Sequence, residues 1–271
     1  MPRARSKKKT VKKKMASVWK KEKPPGSAMP ITGHLVELRS RLIKSLIVLG
    51  IFCGIALQEI DLILKVLKRL LPADLYFNSP SEVLWVSFKV AFFAGFIVSF
   101  PFVLFQVWKF ISPGLEPKER KLFFPFILGG SFFFVAGVLF CYFFVLPFAL
   151  SYLVQFGVER GIKPQIILTS YIDFILKLMM AFGLIFMIPI ALILLAKAGI
   201  ISSRVLVKNR RYAILINSLI AAVLTPTPDL FNMMLMLVPL LILYEIGIWG
   251  IRLLGEGPSK TIKGSGKVSP V

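Results

Sequence analysis

The chain is poor in the residues that most chemistry needs: one histidine, two cysteines and 13 acidic residues among 271. With His34 as the sole imidazole, a zinc site of the HExxH type cannot be built, and neither a GxSxG nucleophile turn nor a phosphate-binding P-loop is present. Cys53 and Cys141 both fall inside apolar runs, where each reads as a small apolar filler, with no sign of a disulfide framework or a metal pair. Asp173 and Asp229 begin different helices without a glycine-rich context, which argues against intramembrane proteolysis by paired aspartates. The expectation is a protein with no catalysis of its own, no cofactor and no metal.

Apolar residues take the place of that chemistry. They make up 56% of the chain, charged residues only 17%, and the mean hydropathy is +0.78. Crossing roughly 30 Å of hydrocarbon takes about 20 apolar residues in a helix. The apolar segments read as Leu42–Leu57, Val83–Val107, Leu122–Leu150, Ile172–Leu195, Tyr212–Leu224 and Leu230–Ile251, which makes six spans, the fifth a short one. Their apolar character is continuous, whereas a barrel strand alternates, and a helix satisfies its own backbone hydrogen bonds in lipid. The expected fold is an all-α membrane protein with six transmembrane helices.

Basic residues collect on the cytoplasmic side of such proteins. An inside N-terminus puts 27 of the 34 Lys and Arg on that side, leaving Lys65, Lys68, Arg69, Arg160 and Lys163 outside and Lys89 and Lys177 within spans. Both termini are therefore expected inside. Residues 1–30 carry 11 Lys or Arg against one Glu, with no recognition motif for nucleic acid. They read as a disordered topology signal that touches anionic lipid. A transit peptide would be richer in Ser, and the basic region is too long for a secretory signal cleaved behind Gly54-Ile-Ala56. The membrane domain is placed at residues 31–254, and a second flexible cytoplasmic tail at 255–271.

Several local features refine this outline. Ile60–Leu71 carries Asp61, Lys65, Lys68 and Arg69 on one helical face and leucines on the other, which suggests a surface helix that either caps the bundle or merely anchors at the interface. Pro101, Pro125, Pro147, Pro189 and Pro239 lie in the spans and are expected to bend them, giving a curved wall. The fifth span covers only about 20 Å. Thr225-Pro-Thr-Pro-Asp229 then turns the chain, with Asp229 as the N-cap of the sixth span. Asp173 and Lys177 have the spacing of an i,i+4 ion pair, while Lys89 either snorkels or pairs with Glu82. Glu245 stands deep enough in the last span to need a partner unless it approaches the interface.

Two polar patches flank apolar runs: His34-Leu-Val-Glu37-Leu-Arg39-Ser-Arg41 before the first, and Gln106-Val-Trp108-Lys-Phe110-Ile-Ser-Pro113-Gly-Leu115, with Glu119 and Arg120, between the second and third. With Thr225-Pro-Thr-Pro228-Asp229 and Leu243-Tyr-Glu245 they occur in the order of, and resemble, the motifs of the TatC family, the multispanning receptor subunit of the twin-arginine protein translocase. The resemblance covers nearly all of residues 31–252 and implies six spans with both ends cytoplasmic.

It also implies a function. A signal bearing two consecutive arginines would be met by Glu37 and Glu119, because a guanidinium prefers bidentate pairing with a carboxylate. Arg39, Phe110 and Arg120 match positions around that site. Taken without the motifs, Glu116 and Glu119 are better explained as complements to the dipole at the start of the third helix. TatA-type and TatB-type single-span partners, folded cargo, self-association and the proton-motive force in a prokaryotic inner membrane complete what the resemblance implies. Pro228, Asp229, Asn232 and Glu245 would belong to the partner contact. Met187 and Met233 stand where many members carry a glutamate and a glutamine, which implies a weaker polar cluster there. Two other classes stay open on the residues alone. One is a solute or ion transporter using Lys89, Asp173, Lys177 and Glu245, and the other is a purely structural assembly subunit.

Overall fold

The computed structural model describes residues 31–71, 74–112, 123–224 and 230–255. The chain divides into two units, one up to Ser40 and one from Arg41 onward, and the packing below concerns the second. Among the described residues the helices are α1 (Ile31–Gln58), which crosses the boundary of the two units, α2 (Ile60–Lys68), α3 (Pro80–Ile111), α4 (Phe123–Phe140), α5 (Leu146–Val158), α6 (Leu168–Phe186), α7 (Ile188–Lys197), α8 (Ser203–Lys208), α9 (Arg210–Leu224) and α10 (Leu230–Leu254). Among the described residues five stretches are long and apolar enough to cross a membrane: Leu35–Gln58, Pro80–Ile111, Phe123–Val158, Leu168–Lys197 and Met233–Leu254. The expected fifth span corresponds to α9, whose 15 residues fall short of that length. The third stretch extends to Val158, eight residues beyond the expected end, because Gln155 and Glu159 at its margin bond each other along the helix at 2.9 Å instead of breaking it.

A short pair of strands sets the direction of two helices. Leu75–Tyr76 (β1) pairs in parallel with Ile166–Ile167 (β2), so α3 and α6, which follow them, both start at this β1–β2 end. Glu82 ties the two starts together. One carboxylate oxygen accepts from the Asn78 amide at 2.7 Å, in the manner of a capping box, and the other from the Thr169 amide at 2.9 Å. A single anion thus satisfies orphan donors at the positive ends of two helices. α3 then ends, and α4 begins, at the opposite end of the bundle.

Proline accounts for the bends, each in its own way. The chain relaxes into a wide π turn over Cys141–Val145 just ahead of Pro147, which has no N–H to continue the regular ladder. Pro189 breaks the fourth stretch into α6 and α7. Met187 sits at the joint with φ −75° and ψ −13°, and its amide tightens onto the Leu184 carbonyl at 3.1 Å. Pro101 and Pro239 stay inside α3 and α10. At Gly161 and Gly199, φ values of 76° and 71° stop α5 and α7 in the left-handed region that suits glycine.

The core lies between α3, α4 and α6. Phe134 is fully buried and stacks on Phe100 with ring centroids 3.7 Å apart. Glycines permit the close approach: a Cβ at Gly137 would stand 2.5 Å from the Phe182 carbonyl oxygen, and one at Gly183 would stand 2.7 Å from the Phe134 ring. In lipid there is no water to drive helices together, so such small-residue contacts carry much of the association. Gly247 and Gly250 do the same for α10 against Leu192 and Ile193 of α7. The amphipathic α2 caps the β1–β2 end, with Leu67 buried and its backbone carbonyls from Val66 and Leu67 accepting from Tyr142 at 3.0 Å and Tyr171 at 2.8 Å. That resolves the choice between cap and simple anchor in favour of the cap.

Candidate functional site

Aromatic packing joins the two helices that flank the patch from Gln106 to Lys121. Trp108, buried on the last turns of α3, stands 4.9 Å from Phe126 and 6.4 Å from Phe123, ring to ring, and Phe105 meets Phe123 at 5.7 Å. Edge and tilted contacts of this kind add to burial and fix orientation. They clamp the end of α3 to the start of α4. Phe110 is half-buried on the last turn of α3, and Gln106 is buried. Glu119 and Arg120 lie outside the described residues.

On α1, Glu37 is half-buried on the second turn and Arg39 is exposed. A helix places residues two apart on different faces, so Arg39 and Glu37 do not share a direction. Arg39 is thus placed less well to orient the Glu37 carboxylate than to meet a separate group.

The second set of sequence-selected residues lies on α6, α7 and α10. Met187 is half-buried at the α6–α7 joint, where its Cε stands next to Gly130 of α4. Met233 is half-buried and packs on the core, and Asn232 lies in the first turn of α10. Pro228 and Asp229 fall outside the described residues. Glu245 is met by Arg210, whose guanidinium donates at 2.7 Å. Next to it, Tyr244 donates to the Leu206 carbonyl at 3.0 Å, and Lys197 donates to the Leu254 carbonyl. These three contacts fasten the far part of α10 to α7, α8 and α9. An apolar groove of about 710 Å³ runs along α10 past Glu245, lined by Leu241, Ile242, Ile246 and Trp249.

Two expected pairings give way to another. Asp173 does not pair with Lys177, nor Lys89 with Glu82: Lys89 bonds both Asp173 oxygens, at 2.7 and 3.0 Å. The cause is the shared direction of α3 and α6, which brings positions nine and five residues from their starts to one level, while Glu82 is committed to helix starts. The four groups of the transporter reading are thereby separated into two local pairings, with Lys177 left over. Arg210 and the clamp of Trp108, Phe123 and Phe126 are what sequence reading passed over. An arginine opening the short apolar run Tyr212–Leu224, with a glutamate late in the run that follows it, was the available signal.

Among the described residues no group of three or more His, Cys, Asp or Glu is placed to hold a metal.

Comparison with known proteins agrees with the motifs. The family described as Sec-independent protein translocase protein (TatC) matches residues 33–239, which include the first three motifs and end before Glu245. The protein named Sec-independent protein translocase protein TatC from Aquifex aeolicus (strain VF5) is 40% identical over 227 residues, covering 82% of this chain and 94% of its own. The protein of the same name from Carboxydothermus hydrogenoformans (strain ATCC BAA-161 / DSM 6008 / Z-2901) is 40% identical over 224 residues, 82% of this chain and 92% of its own. A crystal structure of the twin arginine translocase receptor TatC in DDM superimposes with a TM-score of 0.70 at 40% identity, over 80% of this chain and 98% of that one. This multi-pass membrane protein belongs to the TatC family and is a subunit of a Sec-independent protein translocase.

Proposed function

We propose that the chain is the receptor of a twin-arginine translocase, binding the arginine pair of a cargo signal peptide through Glu37 and Glu119. The observation that carries this reading is the family match through both acidic motifs, joined to the aromatic clamp between the helices that flank the second. A guanidinium meeting a carboxylate at a partly desolvated surface forms two parallel charge-assisted bonds, which lysine cannot reproduce. Phe110 supports the apolar part of the signal, and Arg39 and Arg120 belong to the same recognition surface.

In this reading the protein crosses a prokaryotic inner membrane six times with both termini cytoplasmic. α9 serves as a short fifth span, beside which the bilayer thins or a partner provides shielding. The charge distribution along the sequence supports that orientation. Single-span partners of the TatA and TatB types dock near Asp229, Asn232, Met233 and Glu245. Met187 and Met233 make this contact more apolar than a glutamate and a glutamine would. The subunit catalyses nothing itself, and the proton-motive force supplies the energy. Residues 1–30 and 255–271 act as cytoplasmic tails.

A signal peptide carrying a photo-crosslinker beside its arginine pair tests the site. Added to the protein in nanodiscs, it is expected to label residues 34–41 and 106–121. Labelling at the β1–β2 end instead would contradict the reading.

A further inference from the structure

A groove of about 860 Å³ runs between α3 and α6, bordered by Cys53 of α1 and Val223 of α9 and lined chiefly by Trp85, Phe88, Phe92, Leu176, Met180 and Leu184. Two lysines enter it, Lys89 and Lys177. Lys89 is neutralised by Asp173 at 2.7 Å, whereas Lys177 has no hydrogen-bond or ion-pair partner among the described residues and is exposed. An unpaired ammonium within a membrane-spanning segment demands an anion.

The direction of the two helices says where that anion comes from. α3 and α6 both start at the β1–β2 end, and side chains on a helix lean toward its N-terminus. Lys177 lies nine residues into α6, about 13 Å from its start, so its stem leads the charge back toward the headgroups of that leaflet. Trp85 lies five residues into α3 on the same wall, at the depth where tryptophan marks the membrane interface. The groove thus has an apolar trough, an interfacial tryptophan at its mouth and one uncompensated positive charge. A membrane-crossing helix about 10 Å across and 30 Å long fills upward of roughly 2,000 Å³, too much for this space. An acyl chain fits.

We propose that this groove is a binding site for an anionic phospholipid of the leaflet at the β1–β2 end, its phosphate on Lys177 and one acyl chain along the trough. The lipid neutralises Lys177 and fills the wall between α3 and α6, while the Lys89–Asp173 pair keeps the site at a single net positive charge.

The test uses the full chain with Trp19→Phe, Trp108→Phe and Trp249→Phe, so that Trp85 alone fluoresces, in phosphatidylcholine nanodiscs. Phosphatidylglycerol or phosphatidylcholine with brominated acyl chains is then titrated in as quencher. The brominated phosphatidylglycerol is expected to associate with about fivefold preference, the scale of one lysine against an anionic lipid. Lys177→Gln is expected to abolish the preference with the fold intact by thermal unfolding, and Lys177→Arg to retain it. Inorganic phosphate in the buffer is expected to leave quenching unchanged, and competition by it would replace the lipid site with a soluble-anion site. Equal association of both lipids, a preference that survives Lys177→Gln, or no quenching by either because a partner helix or a second copy covers Trp85 would each overturn the proposal.

Discussion

Arg210, at the first residue of α9, donates to Glu245 of α10 at 2.7 Å, and with this contact the two helices are tied together. Both side chains remain close to half exposed, at 47% and 41%. Pairs of this exposure contribute little singly, so the coupling energy in a double-mutant cycle of Arg210→Ala and Glu245→Ala is expected to be about 0.5–1 kcal/mol. Thermal unfolding of the four proteins in detergent measures it. A coupling near zero would leave Tyr244 and Lys197 as the effective ties.

The Lys89–Asp173 pair behaves differently because its surroundings are lipid. Asp173→Ala leaves a second unpaired lysine in the groove beside Lys177, and is expected to lower the unfolding temperature more than the double change Lys89→Met with Asp173→Ala. The reverse order would show that the pair contributes nothing beyond its individual side chains.

Helix approach at Gly137 leaves no room for a methyl group, since the Phe182 carbonyl oxygen would lie 2.5 Å away. Gly137→Ala is expected to destabilise by roughly 1–3 kcal/mol through forced separation of α4 and α6. Gly157, with nothing within 4 Å, is the control, and Gly157→Ala is expected to be neutral or slightly stabilising. Chemical denaturation in mixed micelles separates the two.

Trp108 connects packing to recognition. Trp108→Ala removes the ring that bridges Phe123 and Phe126, at a cost of about 3 kcal/mol, and releases one anchor of the Gln106–Lys121 patch. Signal-peptide affinity is expected to fall while Trp108→Phe retains most of it, as read by fluorescence anisotropy of a labelled peptide.

Continuous apolar runs made the spans legible, and short ordered motifs made the family legible, because both are local properties of the chain. The partner of Asp173 was not. Spacing along one helix suggested Lys177, but the pairing across helices depends on α3 and α6 sharing a direction, which only the β1–β2 bridge establishes. Arg210 and Glu245, 35 residues apart, likewise meet only across two packed helices, here α9 and α10. Pro147 and Pro189 signalled distortion without saying which kind. One is absorbed by a π turn and the other by a break at Met187. Phe110 and Glu37 could be selected from motifs, whereas the ring cluster around Trp108 required knowing that α3 ends where α4 begins.

The central claim is that Glu37 and Glu119 read paired arginines, and it is tested most directly by equilibrium binding of a twin-arginine signal peptide to the protein in nanodiscs. A two-lysine peptide and the Glu37→Ala and Glu119→Ala proteins are measured alongside. Loss of charge-assisted bidentate bonds is expected to weaken binding about tenfold or more in each of the three comparisons. Equal affinity across all four would contradict the carboxylate mechanism.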